Sequence, residues 1–177
     1  MSLTLLLGGA RSGKSSFAVE MGRPRSGPVT YIATAPPIDD DMVDRIEHHR
    51  LERPATWTTV EEETELEAAV GGIAVGMVII DCLTLWTSNL MERGESDEQI
   101  STRAAATALL CANRTEPVVV ISNEVGLGVH PETPLGRRYR DVLGRVNQIF
   151  ARVADPALLM VAGRALPLAD PRDLLGS

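Results

Sequence analysis

Lysine is almost missing from this 177-residue chain: Lys14 is the only one, although lysine and arginine together number 17. A single lysine set among glycines is hard to explain as a surface solubility device. Aromatic residues are scarce as well, at 3%, so the core must be built from Leu, Val, Ile and Ala. The two cysteines, Cys82 and Cys111, are isolated and lack metal-ligand spacing, which excludes a disulfide scaffold and a cysteine-rich zinc site and fits a reducing compartment. No apolar run reaches the length of a membrane span, and no basic segment precedes an apolar stretch at the N-terminus; stable membrane insertion is not expected, and the expected location is cytoplasmic. The net charge of −7 argues against a broad nucleic-acid or anionic-membrane surface, because both need clustered basic residues. Neither a repeat nor a long linker divides the chain, so residues 1–177 read as one domain with a sizeable core.

What is present is concentrated around that one lysine. Gly8-Gly9-Ala10-Arg11-Ser12-Gly13-Lys14-Ser15 fits the pattern G-x-x-x-x-G-K-[ST]. The apolar Leu3–Leu7 before it reads as a buried strand, and Ser16–Met21 after it as the start of a helix. Strand, glycine loop and helix together form the setting in which this pattern binds phosphate. Glycines let backbone N–H groups close around phosphate oxygens, and the helix start adds partial positive charge. In this reading Lys14 reaches the β- and γ-phosphates of a nucleoside triphosphate and Ser15 holds Mg²⁺.

The rest of the chain alternates strand and helix patterns. Strands are expected at Val29–Thr34, Trp57–Val60, Met77–Asp81, Val118–Ser122 and Leu158–Ala162. Helices are expected over Met42–Arg50, Glu61–Val70, Glu98–Ala112 and Leu135–Ala154, with Leu83–Met91 a loop turning into a helix and a tail from Gly163 onward. Strands that are apolar on both sides, separated by helices, predict an α/β fold: a mostly parallel central sheet with helices on both faces. Ligands bind such sheets outside the carboxyl ends of the strands. The P-loop, Thr34, Asp81, Asn123 and Glu124 all fall at such ends.

Several residues in this frame have two readings. Asp81, at the end of an apolar strand, either holds Mg²⁺ opposite Ser15 or caps the helix that follows. His48 and His49 lie on a helical pattern whose apolar face is Met42, Val43 and Ile46. At 3.6 residues per turn His49 falls near the edge of that face, and His48 points away from it with Asp44 one turn behind. An outward imidazole is either a nucleophile toward phosphorus or part of a solvated helix face. Glu61 opens an acidic run that is either solvated or able to accept hydrogen bonds from a base or ribose. Arg137, Arg138 and Arg140 either steady phosphate charge or form surface salt bridges. His130 has no evident partner. The residues alone thus describe a small P-loop enzyme that uses Mg²⁺ and a nucleotide, with an unnamed acceptor.

Ordered motifs across nearly the whole chain carry a resemblance. They are the P-loop, Tyr31–Thr34, Asp40–Met42 leading to Arg45–Arg50 and Arg53-Pro54, Asp81–Trp86 with Ser88–Leu90, Ser122–Gly128, Tyr139–Asp141 and Gly144–Gln148. The sequence resembles the bifunctional adenosylcobinamide kinase / adenosylcobinamide-phosphate guanylyltransferase family of cobalamin biosynthesis. The resemblance implies a P-loop NTPase-like fold and two reactions. ATP or GTP phosphorylates adenosylcobinamide; GMP then passes from GTP to adenosylcobinamide phosphate through a GMP-histidine, giving adenosylcobinamide-GDP and pyrophosphate. It implies that His48 is the nucleophile. It also implies nucleotide contacts at Gly8, Gly9, Ala10, Arg11, Ser12, Gly13, Lys14, Ser15, Ala33, Thr34, His49, Arg50, Leu51, Glu52, Glu61 and Asp81, and a homo-oligomer, possibly a trimer. The competing readings are a P-loop kinase without guanylyl transfer, a GTPase switch (for which the sequence offers no Asn-Lys-x-Asp element) and a nucleotide-holding structural subunit.

Overall fold

A computed structural model describes residues 3–36, 47 and 49–174. One seven-stranded sheet runs through it in the order β3-β2-β4-β5-β1-β6-β7. The strands are β1 (Leu3–Gly8), β2 (Val29–Ala33), β3 (Thr58–Glu61), β4 (Met77–Asp81), β5 (Val118–Asn123), β6 (Ala157–Val161) and β7 (Arg164–Pro167). Every pairing is parallel except that of β7 with β6. The helices are α1 (Lys14–Gly22), α2 (Leu66–Gly71), α3 (Leu83–Glu92), α4 (Asp97–Ala112), α5 (Pro134–Ala151) and the short α6 (Pro171–Leu174).

Strand side chains alternate between two apolar layers. Leu3, Leu5, Leu7, Val78, Ile80, Val118 and Val120 face the layer filled by Leu66 and Val70 of α2, Trp86 and Leu90 of α3, Ile100 and Ala104 of α4, and Val142, Val146 and Phe150 of α5. On the other face Leu6, Tyr31, Ile79, Val119 and Ile121 pack with Ala18 and Val19 of α1. Both faces are therefore covered, as the apolar strand runs require. Local chemistry sets the helix starts. Ser96 and Gln99 form a reciprocal capping box at α4, with Asp97 and Glu98 in its first turn, complementing the helix dipole. Thr133 accepts the Gly136 N–H at α5, and Pro134 takes the first helical position, where its missing N–H costs nothing.

Four boundary expectations need correction. The segment Glu61–Val70 is not a single helix. Glu61 completes β3 opposite Ala33, and the Glu62 carboxylate then accepts the N–H groups of Thr64 and Glu65 at 2.9 and 2.8 Å, so the helix starts only at Leu66. The helix α3 begins directly at Leu83, without an intervening loop. The long helix α5 stops at Ala151 rather than Ala154. The segment after Gly163 is not wholly a tail: Arg164–Pro167 turns back as β7 and pairs antiparallel with β6. That turn runs through Ala162 and Gly163 with φ of +50° and +73°, the left-handed pair that joins two strands with a two-residue loop.

The register aligns the functional ends of the strands. Gly8 lies opposite Asn123, Ala33 opposite both Asp81 and Glu61, and Asp81 opposite Ile121. The P-loop, Asn123, Asp81 and Ala33 thus share one edge of the sheet, the carboxyl edge where parallel sheets bind ligands.

Candidate active site

The P-loop is shaped by backbone that only some residues accept. Gly8 has φ +150°, and a Cβ on it would lie 2.3 Å from the Met160 carbonyl oxygen. Gly13 has φ +97° and packs beside Gly163, whose N–H donates to the Ser12 carbonyl at 3.0 Å. The loop is therefore braced by β6 and its turn as well as by its own strand. The first helical residue after it is Lys14, 6% exposed. Its ammonium donates to the carbonyl oxygens of Gly8 at 2.9 Å and Gly9 at 2.7 Å, and to Ser12 Oγ at 3.3 Å. Burial lowers its pKa, and the nearby Asp81 opposes that shift.

A cleft of about 470 Å³ opens above the loop. Its walls include Ala10–Ser16, Tyr31, Ala33, His49, Arg53, Asp81, Thr84 and Asn123. Asp81 reaches it from the end of β4, where one carboxylate oxygen accepts the Tyr31 hydroxyl hydrogen. Tyr31 stays a protonated donor because burial and the neighbouring Asp81 push its pKa well above that of a free phenol, against the pull of Arg53. The Arg53 guanidinium lies over the Tyr31 ring, 3.5 Å from its centroid. His49 is half-buried, with Nδ1 3.6 Å from the Glu52 carboxylate. Of the expected partly buried His49 and outward His48, the first is as expected; His48, like Met42, Val43, Asp44 and Ile46, lies outside the described residues.

The cleft gathers Ala10, Arg11, Ser12, Gly13, Lys14, Ser15, Ala33, His49 and Asp81 from the expected nucleotide contacts. Other expected contacts stand away from its walls. Gly8 and Gly9 form the base of the loop, and Gly8 is buried. Thr34 is fully buried, and its hydroxyl accepts the Cys82 N–H and donates to the Cys82 carbonyl, both at 2.7 Å. It therefore fixes the backbone just after Asp81. Arg50, Leu51 and Glu52 are exposed, as is Glu61 at the end of β3. Of the α5 arginines, Arg138 pairs with Asp97 at 2.8 Å and Arg140 with Asp141 at 2.9 Å, while Arg137 donates to the backbone carbonyls of Pro131 and Glu132 at 3.0 and 2.7 Å. His130 does have a partner, since its Nδ1 lies 2.7 Å from Arg140 Nη1.

Tyr31, Arg53 and Asn123 are among the cleft residues that the sequence does not assign to the site. Tyr31 reads there as an ordinary strand residue, and Arg53 as the end of a helix before Pro54. Asn123 stood out only as a polar residue at a strand end. Its backbone N–H donates to Thr84 Oγ1 at 2.8 Å and its carbonyl accepts from Asn147 Nδ2 at 3.0 Å, which fixes its main chain at the cleft wall.

The donor set suits Mg²⁺. Ser15 and Asp81 bring one hydroxyl and one carboxylate to the same cleft, and Asp81 keeps an oxygen that Tyr31 does not engage. Mg²⁺ prefers hard oxygen ligands and takes few from protein, with waters and substrate phosphates supplying the rest. Among the described residues no group of three or more His, Cys, Asp or Glu is arranged to hold a metal by itself.

Comparison with solved structures agrees with the architecture. The fold matches the flagellar accessory protein FlaH from Methanocaldococcus jannaschii with a TM-score of 0.52 at 15% identity, covering 94% of this chain and 77% of that one. It matches a prototypical ATPase of the type III secretion system of pathogenic bacteria with a TM-score of 0.53 at 10% identity, covering 89% and 50%. At these identities the likeness concerns the fold, which is that of P-loop NTPases. Sequence relatives are nearer. The chain is 39% identical over 166 residues to the bifunctional adenosylcobalamin biosynthesis protein CobP of Pseudomonas aeruginosa, covering 93% of this chain and 95% of the relative. It is 37% identical over 175 residues to the bifunctional adenosylcobalamin biosynthesis protein CobU of Escherichia coli, covering 91% and 96%. Residues 4–168 match the family described as cobinamide kinase / cobinamide phosphate guanyltransferase, and with that match across a P-loop cleft the chain belongs to this family.

Proposed function

We propose that this protein phosphorylates adenosylcobinamide with ATP or GTP and then transfers GMP from GTP to the resulting phosphate. The observation that carries this reading is the convergence of Lys14, Ser15, Asp81 and His49 on one cleft at the carboxyl edge of the sheet, in a chain of this family. Adenosylcobinamide and its phosphate are the acceptors in turn; nucleic acid has no part.

In the first reaction the acceptor hydroxyl oxygen attacks the γ-phosphorus, the bond to the β,γ-bridging oxygen breaks, the nucleoside diphosphate leaves and the hydroxyl proton passes to solvent. The P-loop N–H groups hold the triphosphate, and Lys14 neutralises charge on the β- and γ-oxygens. In the second, the neutral imidazole of His48 attacks the α-phosphorus, a P–N bond forms, and pyrophosphate leaves. The phosphate of the first product then attacks the same phosphorus, the P–N bond breaks, and His48 is regenerated. Splitting one hard transfer into two easier ones is the general advantage of a covalent intermediate. Ser15 and Asp81 are the proposed Mg²⁺ ligands. The chemistry that Mg²⁺ supplies there is neutralisation of charge on phosphate oxygens.

The proposed assembly is a homo-oligomer, a trimer by resemblance. Exposed Val161, Leu166 and Leu168 on the outer hairpin support a covered sheet edge, since bare apolar edges are an aggregation liability. Among the described residues no helix is long and apolar enough to cross a membrane. The two buried cysteines fit action in a reducing cytoplasm.

The test is product analysis with adenosylcobinamide, GTP and Mg²⁺. The reading requires adenosylcobinamide phosphate to appear first and adenosylcobinamide-GDP with pyrophosphate to follow. Phosphate without the GDP product would leave a kinase alone, and neither product would refute the assignment.

A further inference from the structure

Arg53 lies in one of the motifs that carry the family resemblance but has no role assigned from the sequence, and its placement is unusual for an arginine. Its guanidinium lies over the ring of Tyr31, 3.5 Å from the centroid, and it lines the cleft with Lys14 and Asp81. Among the described residues the guanidinium's only hydrogen bond is a long one, from Nη1 to Thr59 Oγ1 at 3.4 Å. Its Nε is buried with no partner among them, and none of their carboxylates pairs with it. A buried guanidinium donor left unsatisfied is costly, and a planar fork of five donors is the side chain best suited to bind phosphate oxygens. Tyr31 in turn is fixed on both sides. It sits in the middle of β2, buried, with its hydroxyl donating to Asp81 and its ring face under Arg53.

We infer that Arg53 is a second phosphate-binding cation of the cleft, beside Lys14, and that Tyr31 is the positioning residue that sets both Arg53 and Asp81. The inference rests on the proposed nucleotide site and deepens it. One aromatic ring ties the cationic side of the site to the acidic side. The ring face holds the guanidinium by cation–π attraction, and the ring edge holds the carboxylate by a hydrogen bond. The two attachments are chemically separable, because phenylalanine keeps the face and loses the edge.

The experiment measures displacement of a fluorescent GTP analogue by GTP and by inorganic tripolyphosphate, with and without Mg²⁺. Tripolyphosphate has no base or ribose, so it reports phosphate contacts alone. Arg53→Ala weakens GTP and tripolyphosphate alike, by about tenfold or more for a lost charged hydrogen bond; Arg53→Lys falls between Ala and wild type, because it restores charge without the fork. Tyr31→Phe keeps wild-type tripolyphosphate affinity without Mg²⁺ but shifts the Mg²⁺ concentration needed for tight GTP binding. Tyr31→Leu loses tripolyphosphate affinity as Arg53→Ala does, and combining the two adds little. Unchanged tripolyphosphate affinity in Arg53→Ala overturns the inference, as does a loss confined to GTP, which would mark a base or ribose contact. Equal behaviour of Tyr31→Phe and Tyr31→Leu without Mg²⁺ overturns the positioning role. Wild-type protein that does not bind GTP overturns the nucleotide site itself, and this inference with it.

Discussion

Replacing Lys14 with methionine separates the two things this side chain does, because the structure makes them unequal. The ammonium donates to Gly8 O, Gly9 O and Ser12 Oγ, yet neither carbonyl depends on it. Gly8 O also accepts the Glu124 N–H at 3.1 Å, and Gly9 O the Ser12 N–H at 3.3 Å. Removing the lysine therefore orphans no backbone acceptor, and it relieves the cost of burying a charge, which opposes the loss of its bonds. The expected change in stability is within about 2 kcal/mol, or a melting shift of roughly 4–8 °C or less for a domain of this size. Catalysis has no such compensation. Loss of one preorganised donor at developing phosphate charge costs about 3 kcal/mol, which is a rate loss on the order of a hundredfold. The assay is the initial rate of each reaction beside a thermal melt of the same preparation. Either reaction running within about threefold of wild type would refute the shared role of Lys14, given the hundredfold loss expected of such donors. A melting shift far beyond that range would refute the claim that the loop stands without it.

Other substitutions probe the frame that holds the site. Gly8→Ala should abolish nucleotide binding while leaving the sheet folded, because its Cβ would meet the Met160 carbonyl at 2.3 Å; titration with a fluorescent nucleotide and far-ultraviolet circular dichroism check the two halves. Trp86 is fully buried, and Trp86→Ala should cost about 3–5 kcal/mol in urea unfolding. Trp86→Phe should cost much less, since the Thr64 carbonyl it bonds at 2.8 Å also accepts from Arg103 at 2.7 Å. Burial pushes the thiols of Cys82 and Cys111 up to about 11 and about 12. Both should therefore react far more slowly with a thiol reagent at about pH 8 in the folded protein than after unfolding, when the thiols return to about 8.5. Nucleotide should slow Cys82 further, because it lines the cleft; equal labelling rates in the folded and unfolded protein would contradict this picture.

The parts of the account legible in the sequence are those written in consecutive residues. The P-loop is a linear pattern whose glycines answer a local backbone need at Gly8 and Gly13, and the apolar strands announce a sheet covered on both sides. The hairpin after Met160 was hidden because its turn uses Ala162 in a left-handed conformation, where Asn or Asp before Gly is the usual signal. The delayed start of α2 was hidden because a run of glutamates suits a helix start, while Glu62 spends its carboxylate on capping the turn ahead of Leu66. Thr34 is legible as a polar strand end at the binding edge, but the commitment of its hydroxyl to Cys82 joins residues far apart in sequence and is not. Tyr31 and Arg53 are 22 positions apart and meet only through the fold, so no spacing rule pairs them.

The most direct test of the account is the intact mass of the protein after incubation with GTP and Mg²⁺, compared with ATP and with His48→Asn. The account predicts a gain of one GMP from GTP alone, acid-labile and absent from His48→Asn. No adduct with GTP, or an adduct that persists in His48→Asn, would contradict it.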